Sequence, residues 1–234
     1  FRGELVGEAV YERHGTEFPL LVKFIDARQD LSIQVHPDDR LAWMRHKSNG
    51  KTEMWYVVAA DKGAHLKSGF SKQLTPAEYE RMVADHTLTD ALCDYPVTAG
   101  DLFFLPAGRV HAICAGTFVA EIQQTSDITY RIYDYGRTGA DGKPRELHTE
   151  LAKDAIDYTV LPDYRSHYAA AKNREVPLVS CPYFETSLYE LDAPLSRDLA
   201  ALDSFLIVVC LKGSGVLCDD EGDEVPLRRG ETLL

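Results

Sequence analysis

At 234 residues the chain can form one large domain or two small ones, with apolar material enough for a buried core. Its formal charge of -12 excludes a nucleic-acid-binding surface, because neutralising phosphate needs a basic face; an anionic small substrate is still allowed, since a few Lys and Arg residues reverse the field inside a pocket. No apolar run is long enough to span a membrane, no signal-peptide pattern is present, and the five cysteines (Cys93, Cys114, Cys181, Cys210, Cys218) lack CxxC spacing, as expected of reduced thiols in a cytoplasmic protein. The start at Phe1 and the stop at Leu234, in what reads as mid-strand, suggest a piece of a longer protein.

Two β-rich runs come first, Leu20 to Asp26 and Leu31 to Val35, around the turn-like Ala27-Arg28-Gln29-Asp30. Alternation in the second puts Ser32, Gln34 and His36 on one face. Pro37-Asp38-Asp39 opens a short helix reaching Trp43 and Met44. Met54 to Val58 reads as a strand with Glu53 at its entrance. Thr75 and Pro76 suit the N-cap and first position of a helix predicted to run to about Cys93. Strands resume at Asp101–Leu105, Phe118–Gln124 and Thr129–Tyr133. A turn-rich loop from Gly136 to Pro144 and a helix from His148 to about Tyr158 follow. Further β-like runs lie at Tyr183–Tyr189, Phe205–Cys210 and Gly215–Cys218.

Many short strands between turn signals predict a mainly β fold, a barrel or sandwich, rather than alternating β and α elements. The expected division is a metal-binding barrel over 1–135 with a helical insertion near 75–93, a connector with a helix over 136–177, and a second, incomplete β-unit over 178–234. No histidine follows His167, so that second unit is expected to be metal-free.

The chemistry is concentrated in three segments. Gln34-Val-His36-Pro37, Glu53 within Gly50-Lys51-Thr52-Glu53, and His111 within Pro106-Ala-Gly108-Arg-Val-His111 supply an amide oxygen, a carboxylate and two imidazoles beside apolar strands. Such groups are costly to bury unless something satisfies them. Together they form the donor set of a first-row metal with open positions, most often zinc, expected here at one per chain. His14, His46, His65, His86, His148 and His167 sit in no comparable pattern and are expected to be surface or structural residues.

The spacing Gly100-x5-Pro106-x-Gly108-x2-His111 resembles the second cupin motif, which implies a jelly-roll barrel with its histidine pointing inward. Gln34-Val-His36-Pro37-Asp38-Asp39, Gly50-Lys51-Thr52-Glu53-Met-Trp-Tyr-Val and Glu121-Ile-Gln-Gln-Thr-Ser126-Asp127-x-Thr-Tyr-Arg131-x-Tyr-Asp134 stand in the order seen in type I phosphomannose isomerases. The resemblance is to the short bacterial form, over nearly all of residues 20–135. One departure is Arg109, where the short forms commonly carry a small or β-branched residue, with an expected effect on charge near the mouth of the site.

Carried over by position, the resemblance implies Gln34, His36, Glu53 and His111 as zinc ligands, Arg131 and Lys51 as catalytic and substrate-binding residues, and Asp127 as a further motif acid. It implies interconversion of mannose 6-phosphate and fructose 6-phosphate by proton transfer through a cis-enediol(ate). Lys51, Arg131, Arg137 and Lys23 are the cations available to the phosphate. The catalytic base is left open. A phosphorylated hexose is the expected partner, with no nucleic acid or membrane, and the chain is expected to be a monomer or weak homo-oligomer. The alternatives are a non-catalytic sugar-phosphate-binding cupin and an iron-dependent cupin oxygenase, the latter disfavoured by Gln34 where a second histidine would be expected.

Overall fold

The computed structural model describes residues 2–139 and 142–234. It comprises two compact units, Pro19–Pro194 and the segment ending at Phe18 together with Leu195–Leu234. The smaller unit begins with the helices α1 (Arg2–Val6) and α2 (Glu8–His14). The Asp203 carboxylate accepts from the Glu8 and Ala9 N–H groups at 2.7 and 3.1 Å, satisfying donors that the start of a helix leaves unpaired.

The larger unit is built on antiparallel ladders. Its elements are β1 (Leu20–Ala27), β2 (Ile33–Val35), α3 (Asp39–His46), β3 (Glu53–Ala60), β4 (His65–Phe70), α4 (Pro76–Ala84), β5 (Leu92–Pro96), β6 (Leu102–Leu105), β7 (His111–Ile113), β8 (Thr117–Gln124), β9 (Tyr130–Tyr133), α5 (Thr149–Ala155), β10 (Arg165–Ser166), β11 (Val176–Ser180) and β12 (Glu185–Leu188). One five-stranded sheet runs β1-β8-β3-β6-β10 and a second runs β5-β4-β7-β2-β9. They face each other as a jelly-roll sandwich, the expected mainly β fold. No ladder joins the two sheets into a closed cylinder among the described residues.

Side-chain alternation explains the layering. Trp55, Val57, Phe103, Leu105 and Val119 of the first sheet pack against Leu66 and Ile113 of the second, all buried. The outer face of the first sheet, with Met54 and Leu102, is covered by Val179 and Phe184. The outer face of the second, with Val35, Ala112, Tyr130 and Ile132, is covered by Tyr79, Ala152 and Ile156 from the helical segments. The stretch from 178 to 194 therefore lies within the larger compact unit, while the sequence division begins its second unit there.

The helix expected from Thr75 to about Cys93 is shorter. Thr75 and Glu78 form a reciprocal capping box, with Pro76 at the first position, as the sequence predicts. The helix ends at Ala84, His86 adopts a left-handed φ of 56°, and a 3₁₀ turn covers Leu88–Ala91. Beyond it, β5 pairs with β4, a ladder the sequence reading did not anticipate. Of the Gly136–Pro144 loop, Ala140 and Asp141 lie outside the described residues.

The smaller unit carries β13 (Val208–Val209), β14 (Ser214–Cys218), β15 (Glu224–Arg228) and β16 (Thr232–Leu233), with β13 paired to β16 and β14 to β15. No helix among the described residues is long and apolar enough to cross a membrane.

Phe184 is 6 % exposed against the outer face of the first sheet. Phe184→Ala is expected to lower unfolding free energy by about 3 kcal/mol, the low end for truncating a buried Phe. Urea denaturation measures this, and an unchanged midpoint would contradict the packing described.

Candidate active site

The space between the sheets is apolar at one end and polar at the other. Lys23 on β1, Glu121 and Gln123 on β8, and Glu53 at the start of β3 point inward from the first sheet. Gln34 on β2, His36 just beyond it and His111 at the start of β7 face them from the second. Ladder register makes this arrangement: Lys23 and Trp55 both pair with Glu121, Glu53 with Gln123, and Gln34 with His111. Pro106 and Gly108 turn the chain between β6 and β7, and the Gly108 φ of 91° is one that side chains avoid.

His36, Glu53 and His111 bring three donor atoms to within 4.8 Å of one another, and all three residues are buried. Their hydrogen bonds fix what they present. His36 Nδ1 lies 2.9 Å from the Ile128 carbonyl and His111 Nδ1 lies 2.8 Å from the Arg109 carbonyl. A carbonyl only accepts, so each Nδ1 carries the proton and each Nε2 turns a lone pair into the cluster. Burial, followed by the charge of Lys51, holds His36 well below its ordinary pKa and pushes His111 down to about 4, so both rings are neutral.

Glu53 faces these lone pairs with lone pairs of its own. Its Oε1 stands 3.3 Å from His111 Nε2 and has no hydrogen-bond partner among the described residues, and its Oε2 is 3.6 Å from His36 Nε2. Burial is the first reason its pKa rises to about 7, with the charge of Glu121 adding and that of Lys51 opposing. Three converging acceptors need a proton or a cation among them. The Lys51 ammonium supplies one, paired with Glu53 Oε2 and 3.2 Å from His36 Nε2. A metal fits the same donors, because histidines held through Nδ1 by carbonyls are the arrangement that orients Nε2 for coordination. Gln34 stands beside the set: its amide nitrogen is 3.3 Å from His111 Nε2, and rotation about the terminal bond exchanges that nitrogen for the oxygen.

Beside this cluster a cavity of about 360 Å³ opens, lined among others by Lys23, Gln34, Lys51, Glu121, Asp127 and Thr129. Its size falls in the range of small-molecule sites. Glu121 is 3 % exposed, accepts from Trp55 Nε1 at 2.9 Å, and lies 3.1 Å from Lys23 Nζ and 3.9 Å from Lys51 Nζ. Burial raises its pKa, but Lys51 and Lys23 together with the Trp55 hydrogen bond outweigh it and keep the carboxylate ionised.

Asp127 lines the cavity as an exposed residue. Arg131 is the ladder partner of Gln34 but is not among the cavity-lining residues; its guanidinium donates to the Glu146 carbonyl at 2.9 Å, and its Nε has no partner among the described residues. Arg109 is 7 % exposed and stacked over the Tyr164 ring at 4.2 Å from the centroid, and its charge adds to burial and Lys51 in lowering the His111 pKa.

Sequence reasoning gave Glu121 no role and Lys23 only a passing one. The available signal was a charged residue interrupting each of two apolar strands, at positions that antiparallel pairing brings opposite each other.

Residues 2–66 match the family Phosphomannose isomerase type I, catalytic domain. The mannose-6-phosphate isomerase ManA of Bacillus subtilis is 35% identical over 223 residues, 94% of this chain and 70% of that protein. The mannose-6-phosphate isomerase of Streptococcus mutans is 35% identical over 218 residues, 93% of this chain and 68% of that one. The chain belongs to the type I phosphomannose isomerases. The crystal structure of the mannose 6-phosphate isomerase from Bacillus subtilis superimposes with a TM-score of 0.83 at 32% identity, covering 95% of this chain and 73% of that one.

A divalent first-row ion titrated into chelator-treated protein is expected to bind at one per chain. At about 100 times its Kd it should add about 2.7 kcal/mol of stability, read as a rise in Tm. His111→Ala is expected to lose that rise.

Proposed function

We propose that this family member is a zinc-dependent aldose–ketose isomerase interconverting mannose 6-phosphate and fructose 6-phosphate by proton transfer through a cis-enediol(ate). The observation that carries the reading is the convergence of two Nε2 lone pairs and a Glu53 oxygen unpartnered among the described residues, beside a cavity lined by Lys23, Lys51 and Glu121. Gln34, His36, Glu53 and His111 would hold the metal. Zinc bound there supplies Lewis acidity for the negative charge that develops on the sugar oxygens as the carbonyl moves between C1 and C2.

The remaining work falls to side chains of this chain. Isomerisation must take a proton from one carbon and return it to its neighbour, so the base must be ionised and reach the sugar. Glu121 meets both conditions, being a buried carboxylate in the cavity wall kept charged by Lys23 and Lys51. It is the proposed base, with Asp127 as the motif acid nearer solvent. Lys51, which lines the cavity, would donate to a sugar oxygen and offset charge on the enediolate. Arg131, whose Nε has no hydrogen-bond partner among the described residues, is the proposed contact for the phosphate, and its planar fork suits a dianion better than an ammonium does.

A coupled isomerase assay with mannose 6-phosphate, run before and after chelation and zinc repletion, tests the reaction and the metal together. Turnover is expected to vanish on chelation and return with zinc; metal-loaded protein that binds fructose 6-phosphate without turnover would favour a binding module. Glu121→Gln keeps the size of the side chain and removes the base. It is expected to lower kcat by about 10²-fold or more with KM little changed, and a kcat near the native value would remove Glu121 from this role.

A further inference from the structure

The turn that carries Lys51 into Glu53 is held by side chains from distant parts of the larger unit. Asp39, at the start of α3, accepts through Oδ1 from the Gly50 N–H at 2.8 Å and from Gln124 Nε2 at 2.9 Å. Through Oδ2 it accepts from the Tyr183 hydroxyl at 2.7 Å. Gln124 closes the circuit on the other side of the turn: its Oε1 accepts from the Thr52 N–H at 2.8 Å, and its backbone N–H donates to the Thr52 carbonyl at 3.1 Å. Ser126 adds a bond from its hydroxyl to the Asn49 carbonyl at 2.8 Å. Gly50 is bare for a steric reason, because a Cβ there would stand 2.5 Å from the Asp39 nitrogen and 2.6 Å from the Asp38 carbonyl carbon.

Neither Asp39 nor Gln124 lines the cavity, so neither is placed to touch a substrate. Their influence runs along the backbone, from Gly50 through Lys51 and Thr52 to Glu53. We propose that Asp39 is a positioning residue of the active site, braced by Tyr183 and acting with Gln124 to fix the turn that aims the Lys51 ammonium and the Glu53 carboxylate. The proposal rests on the isomerase reading given above. Every group facing Asp39 in the network is a donor, which suits a carboxylate: partial burial disfavours its charge, but the three donated bonds prevail and hold it below its ordinary pKa. The network also gives a use to the last residue of Gln34–Asp39 and to the second glutamine of Glu121–Gln124, neither of which enters the cavity.

Asp39→Ala, Asp39→Asn and Tyr183→Phe in the full chain test this, with three readouts: Tm, zinc affinity by competition with a chromophoric chelator, and kcat and KM for mannose 6-phosphate. Asp39→Ala leaves the Gly50 N–H and Gln124 Nε2 without their acceptor. It is expected to weaken zinc binding by about 10-fold or more, as loss of a group supporting a ligand does. Turnover should fall by about 10²-fold, the scale of a displaced catalytic group. Asp39→Asn keeps the Oδ1 acceptor and donates its amide to the Tyr183 oxygen, so it is expected to restore both quantities to near-native values. Tyr183→Phe should fall between them.

Native-like zinc affinity and kcat in Asp39→Ala, whatever its Tm, would overturn the proposal. So would an Asp39→Asn variant as impaired as Asp39→Ala. If Asp39→Ala does not fold, native-like zinc affinity and kcat in Tyr183→Phe overturn it, and a partial loss in Tyr183→Phe with retention in Asp39→Asn supports it. Absence of turnover in native zinc-loaded protein would sink the isomerase reading instead, and the zinc affinities would still decide the positioning role.

Discussion

The site depends on one buried carboxylate. Glu53 is fully enclosed, and its nearest polar neighbours include two imidazole nitrogens that can only accept. Water does not reach it to share the charge, so positive charge must be built in around it. That requirement accounts for Lys51 two residues away and for the value of a metal at this position. The same region holds a second buried carboxylate, Glu121, with Lys23 on its other side. Two acids and two lysines thus occupy the polar end of a sandwich whose other end is packed with apolar side chains. The arrangement is stable only as a set, because removing one charge strands its neighbour in a medium of low polarity.

The strands solve a geometric problem that no single segment could. A ladder in which Lys23, Glu121 and Trp55 are neighbours, and Glu53 and Gln123 are neighbours, makes five inward positions adjacent although they come from three strands far apart in sequence. The facing sheet does the same for Gln34 and His111. Tautomers follow from backbone carbonyls at Ile128 and Arg109, so the orientation of each ring is fixed by main-chain atoms that side-chain substitution does not remove. Tyr164, packed against Gly69 and under Arg109, secures the segment from which one of those carbonyls projects.

Much of this was legible in the sequence, for a physical reason. A polar donor in an apolar strand is expensive, so Gln34, His36, Glu53 and His111 stood out where their neighbours did not. The capping box at Thr75 and Glu78 was readable because it is local. Pairing was not local, and pairing is what assigned Glu121 and Lys23 to one cavity. Strands β4 and β5 escaped notice because His65-Leu-Lys-Ser-Gly-Phe70 has weak apolar character, and its place in the sheet comes from neighbours on both sides. The burial of Arg109 was not legible either, because only the tertiary structure supplies the aromatic ring that covers it. Asp39 looked like a helix-start residue, which it is, while its carboxylate serves a turn eleven residues on.

The three grouped donors are divided between the sheets, with Glu53 on one and the two histidines belonging to the other. Their separation is therefore set by the thickness of the apolar layer between the sheets. Phe103, Leu66 and Val119, packed in that layer, act as spacers for the site. Ion-size selectivity in such a protein is a property of its core volume, so repacking the hydrophobic layer would tune the polar end as surely as changing a ligand.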